Sequence, residues 1–177
     1  MGDRWISKNL HRSTYIWLPL SFSGKTVTMK NAVNWVLDMG TGASSSGPSE
    51  NSYEGEDAAL SGGAKSQSCS GCSGKSVAGY LGGDQNGAAL FANVTSNTAT
   101  RTTIRIKYLN GDSKDRFAKV TVNDGQPQTI AFLQNADNST PDTSILNADL
   151  KAGKNTIKIE GSSGWAPDVD RLMVPQS

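Results

Sequence analysis

A chain of 177 residues has room for one core of ordinary size and a remnant of a second; two complete domains would be a tight fit. Hydrophobic residues at 36% and 19 glycines suit a loop-rich soluble β protein and argue against a helical bundle. The 17 basic and 16 acidic side chains are scattered and sum to +1, which excludes the basic footprint of a nucleic-acid binder, and no apolar run reaches the roughly 18–20 residues of a membrane helix.

The N-terminus, MGDRWISKNLHRST, has no charged start followed by an apolar stretch of roughly 7–15 residues, so no export signal is expected within it. Three apolar segments follow, Thr14 to Phe22, Lys25 to Met29 and Val33 to Met39, separated by Ser23-Gly24 and Lys30-Asn31; they predict a strand meander. Those strands carry Trp17, Leu20, Trp35 and Leu37 with little of their own to bury them against. They are either an extension packed on the main domain or the tail of a larger one. Residues 40–52 are rich in Gly, Ser and Pro without apolar period, and predict a flexible tether reaching on the order of 20 Å.

Beyond the tether, short strands recur between turn signals, so the expected class is all-β, a sandwich or barrel. Ile104, Ile106 and Tyr108 alternate with Thr103, Arg105 and Lys107, and Ala118, Val120 and Val122 alternate with Lys119 and Thr121. Ile157 and Ile159 point inward from a third strand, Thr156 to Glu160. Asn110-Gly111-Asp112, Asn123-Asp124-Gly125 and Ala152-Gly153-Lys154 supply turns. Asn93 and Asn138 head Asn-x-Ser/Thr sequons, short patterns that count weakly for secretion.

Glu54 and Glu56 stand two apart, so on a strand both carboxylates leave one face about 6.5–7 Å apart at the backbone. That spacing is compatible with a solvated edge, with calcium, which gathers roughly six to eight oxygens, or with a glycosidase acid and nucleophile. Asp168 and Asp170 repeat the spacing near the other end; if the terminal strands pair, Asp170 joins Glu54 and Glu56 around one ion. Cys69 and Cys72 form a lone C-x-x-C. Zinc lacks further ligands, the single histidine being His11 beyond the tether, and a redox motif lacks its helix, which leaves a structural disulfide of an exported protein as the favoured use. A nucleophile triad lacks its base, and no phosphate-binding signature is present. Two loops, Tyr108 to Asp112 and Gly161 to Asp168, combine aromatic rings with Asn and Asp, the pairing that sugars require; Trp165 and Tyr108 read equally well as core side chains.

Taken together, YEGEDA, CSGCSGKSVAGYLG, IRIKYLNGD, LKAGKNTIKIEG and SSGWAPDVDRLMV, over residues 53–174, resemble carbohydrate-binding module family 35. The resemblance implies a β-sandwich jelly roll with a structural calcium held by Glu54, Glu56 and Asp170, and a sugar site in loops at one end. Trp165 or Tyr108 would offer the stacking surface, Asn110, Asp112 and Asp168 the polar partners, and Tyr80 a weaker contact. The front segment, GDRWISKNLHRSTYIWLPLSF followed by VNWVLDM, resembles the last strands of a glycoside hydrolase family 43 five-bladed propeller. That pairing is similar to secreted fungal exo-β-1,3-galactanases. It implies a monomeric extracellular module whose partner is polysaccharide, galactan in particular, with no nucleic acid or membrane. Its task would be to hold a hydrolase on its substrate, with galactan 1,3-β-galactosidase activity kept by the parent enzyme and none in this chain. The alternative is a lectin-like adhesion module for another glycan.

Overall fold

The computed structural model describes residues 2–5 and 13–176, so His11 lies outside the described residues. The chain divides into two units, Met1–Ser49 and Glu50–Ser177.

In the first unit, β1 (Gly2–Arg4) pairs with β2 (Thr14–Ile16), β3 (Leu20–Ser23) with β4 (Thr26–Met29), and β5 (Trp35–Leu37) with β6 (Ser44–Ser46). The first expected strand is split because Pro19, lacking the N–H a ladder needs, falls between β2 and β3. Three two-stranded ribbons replace the meander. A lone ribbon is marginal in water unless its apolar face is covered. No residue of this unit whose burial is described is buried, and Trp17, Phe22, Val33 and Met39 are largely exposed. Trp35 is half-buried and donates its indole N–H to the Trp17 carbonyl at 2.9 Å.

The second unit is a two-sheet antiparallel sandwich. Its strands are β7 (Glu50–Glu54), β8 (Ala59–Ser61), β9 (Lys65–Ser68), β10 (Ser76–Gly79), β11 (Ala88–Ser96), β12 (Thr100–Leu109), β13 (Arg116–Val122), β14 (Gln128–Phe132), β15 (Asp142–Leu150), β16 (Gly153–Gly161) and β17 (Asp168–Pro175). One sheet runs β15-β12-β17-β10-β9, with β7 also paired to β17; the other runs β14-β13-β16-β11-β8. The alternation read in the sequence sets which faces meet. Ile104, Ile106, Leu146 and Leu172 from the first sheet pack with Val120, Ile157, Ile159 and Val94 from the second, all fully buried. Each contributes on the order of 1.5–3 kcal/mol of apolar transfer energy.

Two bulges interrupt this pattern. Along β17, Lys107 faces Arg171 and Tyr108 faces Val169, leaving Asp170 as an extra residue. Along β11, Phe91 faces Ile157 and Val94 faces Asn155, so Ala92 and Asn93 together oppose Thr156. An extra residue kinks the strand and re-aims the side chain it carries. Both bulges bear on function below.

The stretch expected to be a tether, residues 40–52, falls across the boundary between the two units. It contains β6, and its last three residues begin β7, which pairs Glu50–Glu54 with Arg171–Pro175. The missed signal is Glu50, whose carboxylate accepts from Arg105 Nε at 2.9 Å and pairs with Arg105 Nη2. A charge pair from a distant strand holds Glu50 at the start of β7, within the second unit. Both side chains are mostly removed from water, so breaking the pair leaves Arg105 desolvated without its partner. Glu50→Ala is expected to cost about 2 kcal/mol, or roughly 6–10 °C in melting temperature by circular dichroism. A true tether residue would leave the melt unchanged.

Candidate functional site

The loops at one end of the sandwich carry an exposed aromatic pair. Trp165, in the β16–β17 loop, and Tyr80, just after β10, are each close to half exposed, with ring centroids 6.1 Å apart in an edge-to-face arrangement. The indole lies on Gly83, where a Cβ would collide with its six-membered ring, so a bare backbone there is what lets the ring lie down. The two loops are laced together by Ala166 N–H to the Leu81 carbonyl at 2.9 Å and Gly83 N–H to the Gly164 carbonyl at 3.3 Å. Tyr80 itself sits at φ 57°, a left-handed conformation that costs a non-glycine residue about 1 kcal/mol and that the surrounding bonds hold in place.

Around these rings, Gln67, Arg116, Ala166 and Asp168 complete a cleft of about 260 Å³. Arg116 donates from Nη1 to the Ala166 carbonyl at 3.1 Å and lies 3.7 Å from the Asp112 carboxylate. Burial pushes the Asp168 carboxyl up from its ordinary pKa, an effect opposed by the Arg116 charge and by the Tyr80 backbone N–H. Lys65 Nζ stands 4.5 Å from the Tyr80 ring centroid, so one face of that ring already holds a cation. The free stacking surface is therefore Trp165. The charges lining the cleft compensate one another, Arg116 against Asp168, and the nearby Lys65 and Asp112 are likewise of opposite sign.

Of the expected sugar contacts, Trp165, Tyr80 and Asp168 meet in this cleft, and Asp112 reaches it through Arg116. Tyr108 and Asn110 do not. Tyr108 is buried edge-on against Phe132, and its hydroxyl donates to the Leu133 carbonyl at 3.0 Å. Asn110 is fully buried, its amide donating at 2.9 Å to the carbonyls of Lys114 and Phe132 while its carbonyl oxygen accepts from Asp112 N–H at 3.1 Å. The inward alternation of β12 decides both: Tyr108 follows Ile104 and Ile106 into the core, and Asn110 staples the turn beyond. Gln67, Lys65 and Arg116 were not read as site residues, because nothing local marks a charged residue at a strand end as facing a cleft.

A second cluster forms where the chain ends pair. Glu54 closes β7, Glu56 lies in the 3-10 turn Gly55–Asp57, and the bulged Asp170 is buried beside them. Asp170 accepts from Ser73 N–H at 2.9 Å, and Arg171 approaches Asp170 at 3.8 Å and Glu54 at 4.0 Å. Gly74, at φ 59°, leaves open the space into which Glu56 points; a Cβ there would fall on the Glu56 carboxylate. Burial pushes the Asp170 carboxyl up, with the Glu54 charge adding to the rise while Ser73 N–H and Arg171 oppose it. Glu54 Oε2 and Glu56 Oε2 are buried without a hydrogen-bond partner, an expensive condition for an anionic oxygen. Among the described residues no three carboxylate, imidazole or thiolate groups are closed on a common point as a finished metal cluster. The two orphan oxygens are what a cation would satisfy.

The loop carrying Ser73 and Gly74 is anchored by the Cys69–Cys72 disulfide, buried with Val77 and Leu109. Cys69 N–H bonds the Lys75 carbonyl at 2.8 Å, so the bridge closes the base of the turn that presents Ser73 to Asp170.

The family model described as carbohydrate binding module (family 35) matches residues 51–176. No curated protein matches. Among solved structures, an exo-β-1,3-galactanase from Phanerochaete chrysosporium, with galactose, shares 32% identity over 97% of this chain and 40% of its own, with a TM-score of 0.76. A family 35 carbohydrate-binding module from Clostridium thermocellum shares 30% identity over 70% of this chain and 98% of its own, at a TM-score of 0.65. One from Cellvibrio japonicus, at 21% identity over 73% of this chain and 95% of its own, shares the fold with a TM-score of 0.61. The chain belongs to carbohydrate-binding module family 35, and the sandwich is a binding module, not a catalytic domain. It spans about two fifths of the length of the galactanase it matches, and coverage of 97% takes in the front unit as well.

Removing the Cys69–Cys72 bridge opens a short loop, for which chain entropy gives about 2 kcal/mol. The double variant Cys69→Ser/Cys72→Ser is expected to melt roughly 6–10 °C lower. Reductant should lower the native chain's melt by the same amount and leave the double variant's unmoved.

Proposed function

We propose that the chain is a secreted, monomeric galactan-binding module that holds an attached glycoside hydrolase on its polysaccharide and raises the local substrate concentration. The observation that carries this reading is the exposed Trp165 indole, seated on Gly83 beside Tyr80, Gln67, Arg116 and Asp168. A pyranose offers an apolar C–H face to the ring and a rim of hydroxyls to the polar groups. Charge compensation within the cleft favours a neutral sugar over a uronic acid. Galactan is supported by the likeness to the galactanase, which extends through both units. The front unit's exposed tryptophans and aliphatics fit strands left over from a family 43 propeller. In this reading residues 1–177 bind and do not hydrolyse. Glu54 and Glu56 turn their carboxylates toward Gly74 and do not line the sugar cleft, so they do not form an acid and nucleophile pair there.

Calcium is the proposed occupant of the second cluster, with Glu54, Glu56 and Asp170 as its carboxylate ligands. When bound it would neutralise the buried carboxylates and fasten β7, the Gly55–Asp57 turn and β17 together. A hard cation suits an all-oxygen donor set, and Glu54 Oε2 and Glu56 Oε2 are unpaired acceptors.

In affinity electrophoresis, Trp165→Ala should abolish retention on β-1,3-galactan while Tyr108→Phe leaves it intact; unchanged retention of Trp165→Ala would sink the stacking role. For the cation, chelator should lower the melting temperature and calcium restore it, with Glu56→Gln blunting the response. A melt indifferent to chelator and to added calcium removes the metal.

A further inference from the structure

Asn93-Val94-Thr95 is a motif that the carbohydrate site leaves unused. Alternation along β11 places Ala89 and Phe91 in the core, and an unbroken strand would carry Asn93 inward next. The bulge at Ala92 and Asn93 prevents this: both are exposed, and Val94 takes the buried place instead. Asn93 also lies beyond the reach of β8, which pairs with β11 only at Ala88–Leu90. The far edge of β11 is therefore open there, apart from Thr95 N–H, which donates to the Tyr53 hydroxyl at 2.8 Å. Beside Asn93 lies a hollow of about 240 Å³ lined by Phe91, Tyr53, Ala58, Ser52, Asp57 and Glu54.

We infer that Asn93 is an N-glycan acceptor, with the first sugar lying in the hollow against Tyr53 and Phe91. The donor is a lipid-diphosphate-linked oligosaccharide of the secretory pathway. A bond forms between Asn93 Nδ2 and C1 of the reducing-end sugar, the C1–O bond to the diphosphate breaks, and the amide proton leaves with the lipid diphosphate. The fold tolerates the product because the amide points to solvent from an unpaired edge. It also stays clear of the sugar cleft: Ala88, where β11 begins, follows the Gly87 that packs on the Tyr80 carbonyl, and Asn93 is about 17 Å further along the strand.

The second sequon, Asn138-Ser139-Thr140, is a poorer acceptor. Pro141 follows its hydroxyl residue and restricts Thr140 to extended conformations. In the fold its Asn138 side chain rests on Gly111, 3.0 Å from where a Cβ would stand.

The inference rests on export, proposed above, and the test supplies export itself. The full chain is secreted from yeast behind a heterologous leader, and intact mass is measured before and after peptide N-glycosidase. One glycan is expected, lost in Asn93→Gln, kept in Asn138→Gln and kept in Thr95→Ser, which preserves both the motif and a hydroxyl near Tyr53. A secreted chain of unmodified mass, or a glycan that survives Asn93→Gln, overturns the assignment. Failure here would count against Asn93 and leave galactan binding, read by Trp165, untouched.

Discussion

Strand β17 is hydrogen-bonded along both edges, to β12 on one side and to β10 and then β7 on the other, and the module's functional geometry depends on that. It is the last strand in the chain, yet it lies inside its sheet, so the sandwich cannot close until the two ends of the module meet. Pairing at this spot fixes three carboxylates at once. Asp168 enters the strand from the aromatic cleft, Asp170 bulges out beneath it, and Glu54 arrives from β7 opposite Arg171. Antiparallel pairing of chain ends carries a high loop-closure cost, which the fully buried Val169, Leu172 and Val174 offset.

The bulge at Asp170 resolves what would otherwise be a conflict. Two acidic residues spaced by one share a face on a regular strand, where Asp168 and Asp170 would crowd the same side. The extra residue gives them separate surroundings: Arg116 and the Tyr80 N–H for the first, Ser73 N–H and Arg171 for the second. The strand thus serves two sites whose electrostatics are solved independently. The bulge in β11 works the same way on a neutral residue, turning Asn93 out of a core it would have disrupted.

Much of the sandwich was legible because period-2 alternation is a direct imprint of a half-buried sheet: Ile104, Ile106, Ala118, Val120, Ile157 and Ile159 are all buried. The same rule explains the misplaced site residues. Tyr108 continues the inward set of β12, and of the two readings its sequence allowed, core and sugar contact, the structure takes the core. Asn110 was read as a ligand group where a buried turn needed its amide and carbonyl. Gln67, Lys65 and Arg116 were invisible for a different reason. Lys65 and Gln67 come from β9 and Arg116 from β13, strands of different sheets far apart in the chain, and only the packing of the sandwich brings them to one end. Bulges likewise leave no sequence trace, since an extra residue in a ladder is defined by its partner strand.

The two clusters are mechanically joined through a short path. From the aromatic cleft, Asp168 leads in two residues to Asp170, which holds Ser73 by its backbone N–H, and Ser73 follows the disulfide-closed turn that opens into β10 and Tyr80. Both ends of the cleft, Tyr80 and Asp168, are thus tethered to the carboxylate pocket by β10 and β17, which pair at Ala78 and Val169. A site that stacks one sugar ring gains little contact area, so its affinity depends on how little ordering binding demands. In the proposed reading, anchoring the cleft's two walls to one buried electrostatic cluster, and laying Trp165 directly on backbone at Gly83, would supply that order before a sugar binds.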